Sequence, residues 1–488
     1  MIRIIGLISL LIACLVGCTT MAPKYSRPAS PVPAAWPSGP SYLKPPAKPS
    51  DKLATNVPWR EFFVHQDLQQ LIALALDNNR NLRIAALNIE KARAQYQIQR
   101  SDLFPKINAA ANADMTRLPA DVSGVGVDAT SHQYTLGLGF SSYELDLFGR
   151  IRSLKDQALE QFFATEQARR SLQISLTAEV ANIYLILAAD CERLKLAKET
   201  LVSQRASYEL IRKRFEAGIS SALDVNQAQT SVDVARVDIA RYTTQVAQDK
   251  NALDLVVGVP VPEDLLPIGL TESLSALKDV SPGLPSQVLL SRPDIPQGEY
   301  LLKGANANIG AARAAFFPRI TLTSALGTTS AELTGLFKPG SFTWTFAPQI
   351  SLPIFDGGLN QANLKAAEIG RDIAVAQYER AIQNAFREVA DALAERGTID
   401  DHVAARVSLT NATSESYRLS KARYQKGADS YLVVLDSQRS LYTAQQNLIT
   451  ARLARLINLV IIYRVLGGGE EPTEKQESNA FNKVPVVD

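Results

Sequence analysis

Two hydrophobic periodicities alternate along this chain. From Arg150 to Ala217 there are 68 residues without glycine or proline, and Ile219 to Val257 adds 39 more. At about 1.5 Å per residue, the first run predicts roughly 100 Å of unbroken helix. The pattern recurs from Leu359 to Lys426, which lacks proline but holds Gly370 and Gly397, and again over the 39 residues from Ala428 to Leu466. Only a few residues around Gly218 and Gly427 separate the arms. Each pair is therefore predicted to be an antiparallel hairpin whose tip glycine takes a left-handed helix cap. The return arms carry a seven-residue apolar repeat: Val225, Val232, Ile239, Val246 and Leu253, then Leu435, Tyr442, Ile449, Leu456 and Tyr463. That spacing predicts coiled-coil-like packing.

Between the helices the period drops to two. Ile107 to Met115, Tyr134 to Phe140 and Phe342 to Ile354 place apolar side chains at every second position, as do Ile320, Leu322 and Leu326 but for Ser324, with mostly Thr, Ser, Gly, Gln, Asn and Ala between. Four strands of about ten residues each are predicted, two per hairpin, joined by Gly- and Ser-containing loops near 118–131 and 328–340. That length and alternation suit the strands of a transmembrane β-barrel. No segment of the mature chain is expected to form a spanning helix. Four strands cannot close on themselves and a membrane tolerates no open edges, so a pore requires several copies: two give eight strands, three give twelve.

The chain is one plan used twice. Ser207-Tyr208, Leu210, Arg214-Phe215 and Gly218 fall on Ser416-Tyr417, Leu419, Arg423-Tyr424 and Gly427 at a shift of 209 residues. Leu103-Phe104-Pro105 matches Phe316-Phe317-Pro318 at 213. We divide the chain into 1–17, a signal; 18–58, a proline-rich extended tether; 59–267 and 268–467, the two repeats; and 468–488, a flexible tail.

The N-terminus fixes the compartment. Arg3 precedes an apolar run from Ile4 to Val16, which ends in Leu15-Val16-Gly17-Cys18, a signal too short for a confident span. Those four residues resemble the lipobox of bacterial lipoproteins. The resemblance implies cleavage before Cys18 and its modification by S-diacylglycerol and N-palmitoyl groups. Thr19-Thr20 follow with no Asp at the second position, which implies delivery to the outer membrane.

Composition then excludes several chemistries. Lys+Arg 51 against Asp+Glu 49 gives a net charge of +2, with no basic excess for nucleic acid. Three cysteines rule out a disulfide scaffold, and three separated histidines (His65, His132, His402) argue against a histidine metal site or triad. Cys191, among helix formers, reads as a structural thiol. No nucleotide loop, zinc-protease helix or nucleophile elbow occurs, so no enzyme, metal or soluble cofactor is expected.

With Glu144-Leu-Asp-Leu-Phe-Gly-Arg150, Pro285 to Asp294, Ile309 to Pro318 and the two tip motifs, the mature chain resembles an outer-membrane efflux protein of the TolC type, in the OprM-like lipoprotein subgroup. The resemblance implies an α+β membrane protein. Three subunits would build a twelve-stranded outer-membrane β-barrel and a periplasmic tunnel of helical hairpins. It also implies the partners: its own copies, a periplasmic membrane-fusion adaptor docking at the tips (Gly218, Gly427), an inner-membrane resistance-nodulation-division transporter, and outer-membrane lipid. Drug efflux is the favoured cargo; metal-ion efflux, type I protein secretion and a lipid-anchored coiled-coil adaptor are the alternatives. The family's closure lies at the starts of the return helices and includes an acidic ring. Asp436, in Leu432-Val-Val-Leu-Asp436, matches it, and Asp224 holds the neighbouring place in the first repeat. Leu432 is the candidate apolar constriction, with Arg423 and Tyr424 before the tip. Asp224 also completes a capping box, Ser221-Ala-Leu-Asp224, and Asp436 also reads as a solvated helix residue.

Overall fold

The computed structural model describes residues 20–42, 58–124, 126–270, 289–290 and 292–468. The signal, Cys18, residues 43–57 of the tether and the tail after 468 lie outside the described residues. The elements are short helices α1 (Trp59–Phe62) and α2 (Gln66–Asn78), α3 (Arg80–Ser101), strands β1 (Asn108–Leu118) and β2 (Ala129–Leu145), α4 (Arg150–Glu216), α5 (Ala222–Val257), α6 (Asp294–Ala314), β3 (Arg319–Ser330), β4 (Phe342–Ser351), α7 (Leu359–Gln425) and α8 (Tyr431–Val465). Both breaker-poor runs are single helices of 67 residues, Gly370 and Gly397 included, because tertiary packing outweighs the cost of about 1 kcal/mol per interior glycine.

The chain forms two compact units. The first holds the described parts of Met1–Ala29, with Leu87–Glu166 and Gln297–Glu379. Its sheet is antiparallel throughout in the order β1-β2-β3-β4. The β3–β4 register sets Leu326 opposite Trp344 and Ile320 opposite Ile350, so apolar residues share a face as the period-two pattern requires. Phe342, Trp344, Phe346 and Ile350 are all exposed on the single chain. A bulge between Phe140 and Tyr143 interrupts β2. The Glu144–Arg150 motif is the strand-to-helix turn. The Glu144 carboxylate, 9% exposed, accepts two bonds from Arg150 at 2.8 Å each, and Asp146 accepts from Arg152 Nε at 3.1 Å.

In the same unit the N-terminal segment runs antiparallel along α6. Arg313 donates to the Met21 carbonyl at 3.5 Å and Asn306 to the Pro23 carbonyl at 2.8 Å. Tyr25 and Arg27 donate to Glu299 at 3.2 and 2.6 Å. Gly310 makes room for this strap: a Cβ there would meet the Ala22 nitrogen at 2.6 Å.

The second unit comprises Ser30–Ala86, Gln167–Pro296 and the described part of Arg380–Asp488. Its core gathers Trp59, Phe62, Phe63, Leu71 and Ile72 with Leu185, Leu187, Leu253, Val257, Leu456 and Tyr463. The heptad positions Leu253, Ile449, Leu456 and Tyr463 are buried. One stretch of α4 is, by length and composition, apolar enough to cross a membrane, although polar residues such as Gln173, Glu179 and Asn182 interrupt it. More than half of it, 56%, is buried within the protein. Leu176, Val180, Tyr184 and Leu187 pack into the core cluster, so its hydrophobicity serves the interior. Cys191 packs beside that cluster, and burial raises the pKa of its thiol.

Candidate functional site: the two hairpin tips

The tips belong to the second unit and pack together. Ile211 and Ala228 from one hairpin meet Tyr431, Val434 and Leu435 from the other, with Tyr208, Val225, Tyr417 and Tyr424 around them. Both turns follow the same backbone logic. The Gly218 amide donates to the Phe215 carbonyl and Ile219 to Arg214, each at 2.8 Å. Gly427 donates to Tyr424 at 2.9 Å and Ala428 to Arg423 at 3.0 Å. This paired pattern, with φ of 73° at Gly218 and 76° at Gly427, is the Schellman cap. It satisfies carbonyls that would otherwise end each helix unpaired.

Beyond the glycines the repeats diverge. In the first, Ser221 caps α5 and Asp224 answers it. The Asp224 amide donates to Ser221 Oγ at 3.1 Å, and Asp224 Oδ2 accepts from Ser221 N at 3.0 Å, Ser221 Oγ at 2.9 Å and Ser220 Oγ at 3.0 Å. The Ser221 backbone bond, with lesser help from the two hydroxyls and Arg214, lowers the carboxyl pKa. The carboxylate is thus committed to the cap. In the second repeat, Ser430 stands at the N-cap but makes no side-chain cap bond. There Arg423 crosses the turn to Asp429, with Nε to Oδ2 at 2.7 Å and NH2 to Oδ1 at 2.9 Å. This bidentate pair lowers the Asp429 pKa.

Asp436 is different again. It is exposed on α8 and has no side-chain partner among the described residues. Four residues earlier Leu432 is 47% exposed, so the two lie on one helix face while Val434 and Leu435 turn into the tip core. Tyr424 packs against Tyr431 at 5.6 Å between ring centres, and the Arg214 guanidinium lies 4.9 Å from its ring centre. Burial pushes the Tyr431 phenol up to about 12. The structure thus brings Arg423, Tyr424 and Gly427 into one turn and sets Leu432 and Asp436 on the adjoining helix face. Asp224 it assigns to the other tip's cap. Sequence reasoning missed Asp429 and Tyr431, and read Arg214 only as part of the repeated tip motif. The signal for Asp429 was an acid six residues beyond Arg423, across the tip glycine.

Comparisons with known proteins agree with this architecture. The model of the family described as outer membrane efflux protein matches residues 71–259 and 284–468. The toluene efflux pump outer membrane protein TtgC of Pseudomonas putida is 49% identical over 475 residues, 97% of either chain. Among solved structures, a membrane protein from Pseudomonas aeruginosa superposes with a TM-score of 0.86 at 45% identity, covering 92% of this chain and 98% of that one. The open state of the Neisseria gonorrhoeae MtrE outer membrane channel gives 0.82 at 39% identity, covering 92% and 98%. This chain, with its four-stranded share of a membrane barrel and its long hairpins, belongs to the outer membrane efflux proteins and is an efflux channel subunit of the outer membrane.

Proposed function

We propose that three copies of this chain form a passive exit duct with no catalytic activity, gated at the periplasmic hairpin tips and serving a pump that exports drugs or other small toxic compounds. The carrying observation is the antiparallel sheet β1-β2-β3-β4, whose outer strands β1 and β4 each lack a neighbour among the described residues. In a bilayer those edges must be paired, and three copies pair them in a twelve-stranded barrel wide enough to conduct. The toluene-efflux relative supports small organic cargo.

The gate combines three devices. Asp436, unpaired and exposed, supplies one carboxylate per subunit, and three around a narrow axis form a cation trap. Leu432, on the same face, supplies an apolar constriction. The Arg423–Asp429 pair, with Tyr424 packed beside it, holds the second tip in its closed shape. An adaptor docking around Gly218 and Gly427 competes for these contacts, and a resistance-nodulation-division transporter behind it supplies the energy. Nucleic acid plays no part.

Cys18 carries the S-diacylglycerol and N-palmitoyl anchor. Met21 lies against Arg313, near the end of α6 that leads into β3. Three residues reach at most about 10 Å, which supports an anchor at the level of the barrel's base.

In planar bilayers, Asp436→Ala should raise conductance and weaken its response to divalent cations; unchanged values for both would remove Asp436 from the gate. Cys18→Ser should abolish palmitate labelling, and persistent labelling refutes the anchor.

A further inference from the structure

Helix α6 makes a different contact on each quarter of its surface. One face, Glu299, Asn306, Gly310 and Arg313, wears the N-terminal strap. A quarter turn on, α4 packs: the Tyr300 ring lies 5.4 Å from Phe163, and Gly304 lies against the Gln157 carbonyl. On the opposite flank Gly298 abuts Tyr378 of α7. The fourth face, turned away from the strap, floors a cleft of about 570 Å³ between α4, α6 and α7.

The strand order locates that cleft within one subunit. Helices α3 and α6 lead into β1 and β3, and α4 and α7 leave β2 and β4. The sheet order therefore places α6 between α4 and α7, in the middle of the subunit's wall rather than at a seam between copies. The strap leads to Cys18, and a lipid anchored there must enter the bilayer outside the barrel. The strap face of α6 is then the outer face, and the cleft opens inward.

We propose that this cleft is a lumenal binding site, one per subunit, for uncharged amphiphilic solutes that carry amide, carbonyl or hydroxyl groups. The inward orientation rests on the lipid-anchored duct reading above. The chemistry rests on the lining. Gln157, Gln161, Asn308 and Asn363 present primary amides, each able to donate and accept, and Gly304 and Gly370 leave room between the helices. No Asp, Glu, Lys or Arg lines the cleft among the described residues, so it offers hydrogen bonds without a charge filter. Its volume lies in the range that holds a drug-sized molecule. Open on one side and uncharged, it binds weakly, as a conduction path must if solutes are to leave.

Gly370→Leu is the informative variant. A Cβ at Gly370 meets nothing within 4 Å, and leucine favours a helix more than glycine does, so the change fills the cleft without disturbing the fold. Equilibrium dialysis of radiolabelled benzamide, a neutral aromatic amide, against the purified full-length trimer in detergent should show saturable uptake that Gly370→Leu abolishes. No saturable uptake, or uptake indifferent to Gly370→Leu, overturns the assignment. Orientation is read separately, with Cys191→Ala in every variant. Attaching a bulky membrane-impermeant thiosulfonate to Asn308→Cys should lower single-channel conductance, while the same adduct on Lys24→Cys in the strap should leave it unchanged. The reverse result places the cleft outside the duct. Absence of conductance in every variant would count against the duct itself, and the benzamide measurement still decides the cleft. Retained dialysis behaviour in a Cys18→Ser trimer would support the site independently of the lipid.

Discussion

The two acidic residues at the starts of the return helices should respond differently to the same substitutions, because one is bonded and the other is not. Asp224 Oδ2 accepts from the Ser221 amide and from the hydroxyls of Ser220 and Ser221. Asp224→Ala removes those acceptors and the negative charge from the helix N-terminus, while Ser221 can still cap the amide at position 224. The lost cap bonds are worth about 1 kcal/mol and the charge about 0.5 kcal/mol. Together they change local opening by roughly tenfold, since about 1.4 kcal/mol is a factor of ten. Asp224→Asn keeps the acceptors and loses only the charge, so the effect falls to roughly two- to threefold. Native-state hydrogen exchange at the amides of Ser221, Asp224 and Val225, corrected for intrinsic rates, reads both numbers. The pH dependence follows from the lowered carboxyl pKa. The protection is complete above the ordinary Asp value of 3.8 and is lost as pH falls through the lower folded value. Asp436, which has no bond to lose, should show no loss of protection with either Ala or Asn, yet both should change the cation response equally. The reasoning is refuted if Asp224→Ala leaves all three amides within twofold of wild type while altering cation response as strongly as Asp436→Ala.

Two further outcomes are expected. Burial and the neighbouring Asp190 push the Asp249 carboxyl up to about 6, against Arg193, which pairs with Asp190 at 2.6 Å. The folded state holds that proton where the unfolded chain has lost it, so trimer stability should fall as pH rises from about 4 to about 6 and then level off. Asp249→Asn should flatten that slope in thermal melts between these values; an unchanged slope would assign it to other groups. At the second tip, Gly427→Ala should cost roughly 1–2 kcal/mol through its left-handed backbone alone, because a Cβ there meets nothing within 4 Å. Gly427→Asn should cost less, and equal losses for the two in tip hydrogen exchange would point to a lost contact instead.

Much of the fold was legible because two periods carry it. A run of 67 helical residues and a strand of alternating Phe342, Trp344 and Phe346 announce themselves without any knowledge of what they touch. The tip glycines were legible for the same reason: a helix that must reverse within a few residues needs a left-handed turn, and Gly218 and Gly427 supply it. What escaped was everything defined by contacts between distant segments. Glu299 gives no sign in sequence that it receives Tyr25 and Arg27, more than 270 positions away. Gly310, within the Ile309–Pro318 motif, reads as a weak point in a helix until the strap is seen lying across it. The apolar stretch of α4 gives no continuous run in sequence because polar residues break it, and its burial of more than half shows only once the core is assembled.

The duplication itself explains why the tips were the hardest part to read. A shift of 209 residues carries the first tip glycine onto the second, but it carries Asp224 onto Val433 and Gln227 onto Asp436. The two acids are therefore not equivalent positions of one ancestral turn, although both stand near the start of a return helix. Each repeat had to fasten its own turn after the backbone reversed. The first did so with Ser221 and Asp224, inside the helix that follows. The second did so with Arg423 and Asp429, across the turn. A cap within one helix survives movement of its neighbour, whereas a side-chain pair that bridges the arms is broken by changing their spacing. On the gate proposed above, this asymmetry assigns opening to the second hairpin and leaves the first as the frame against which Leu432 and Asp436 would move.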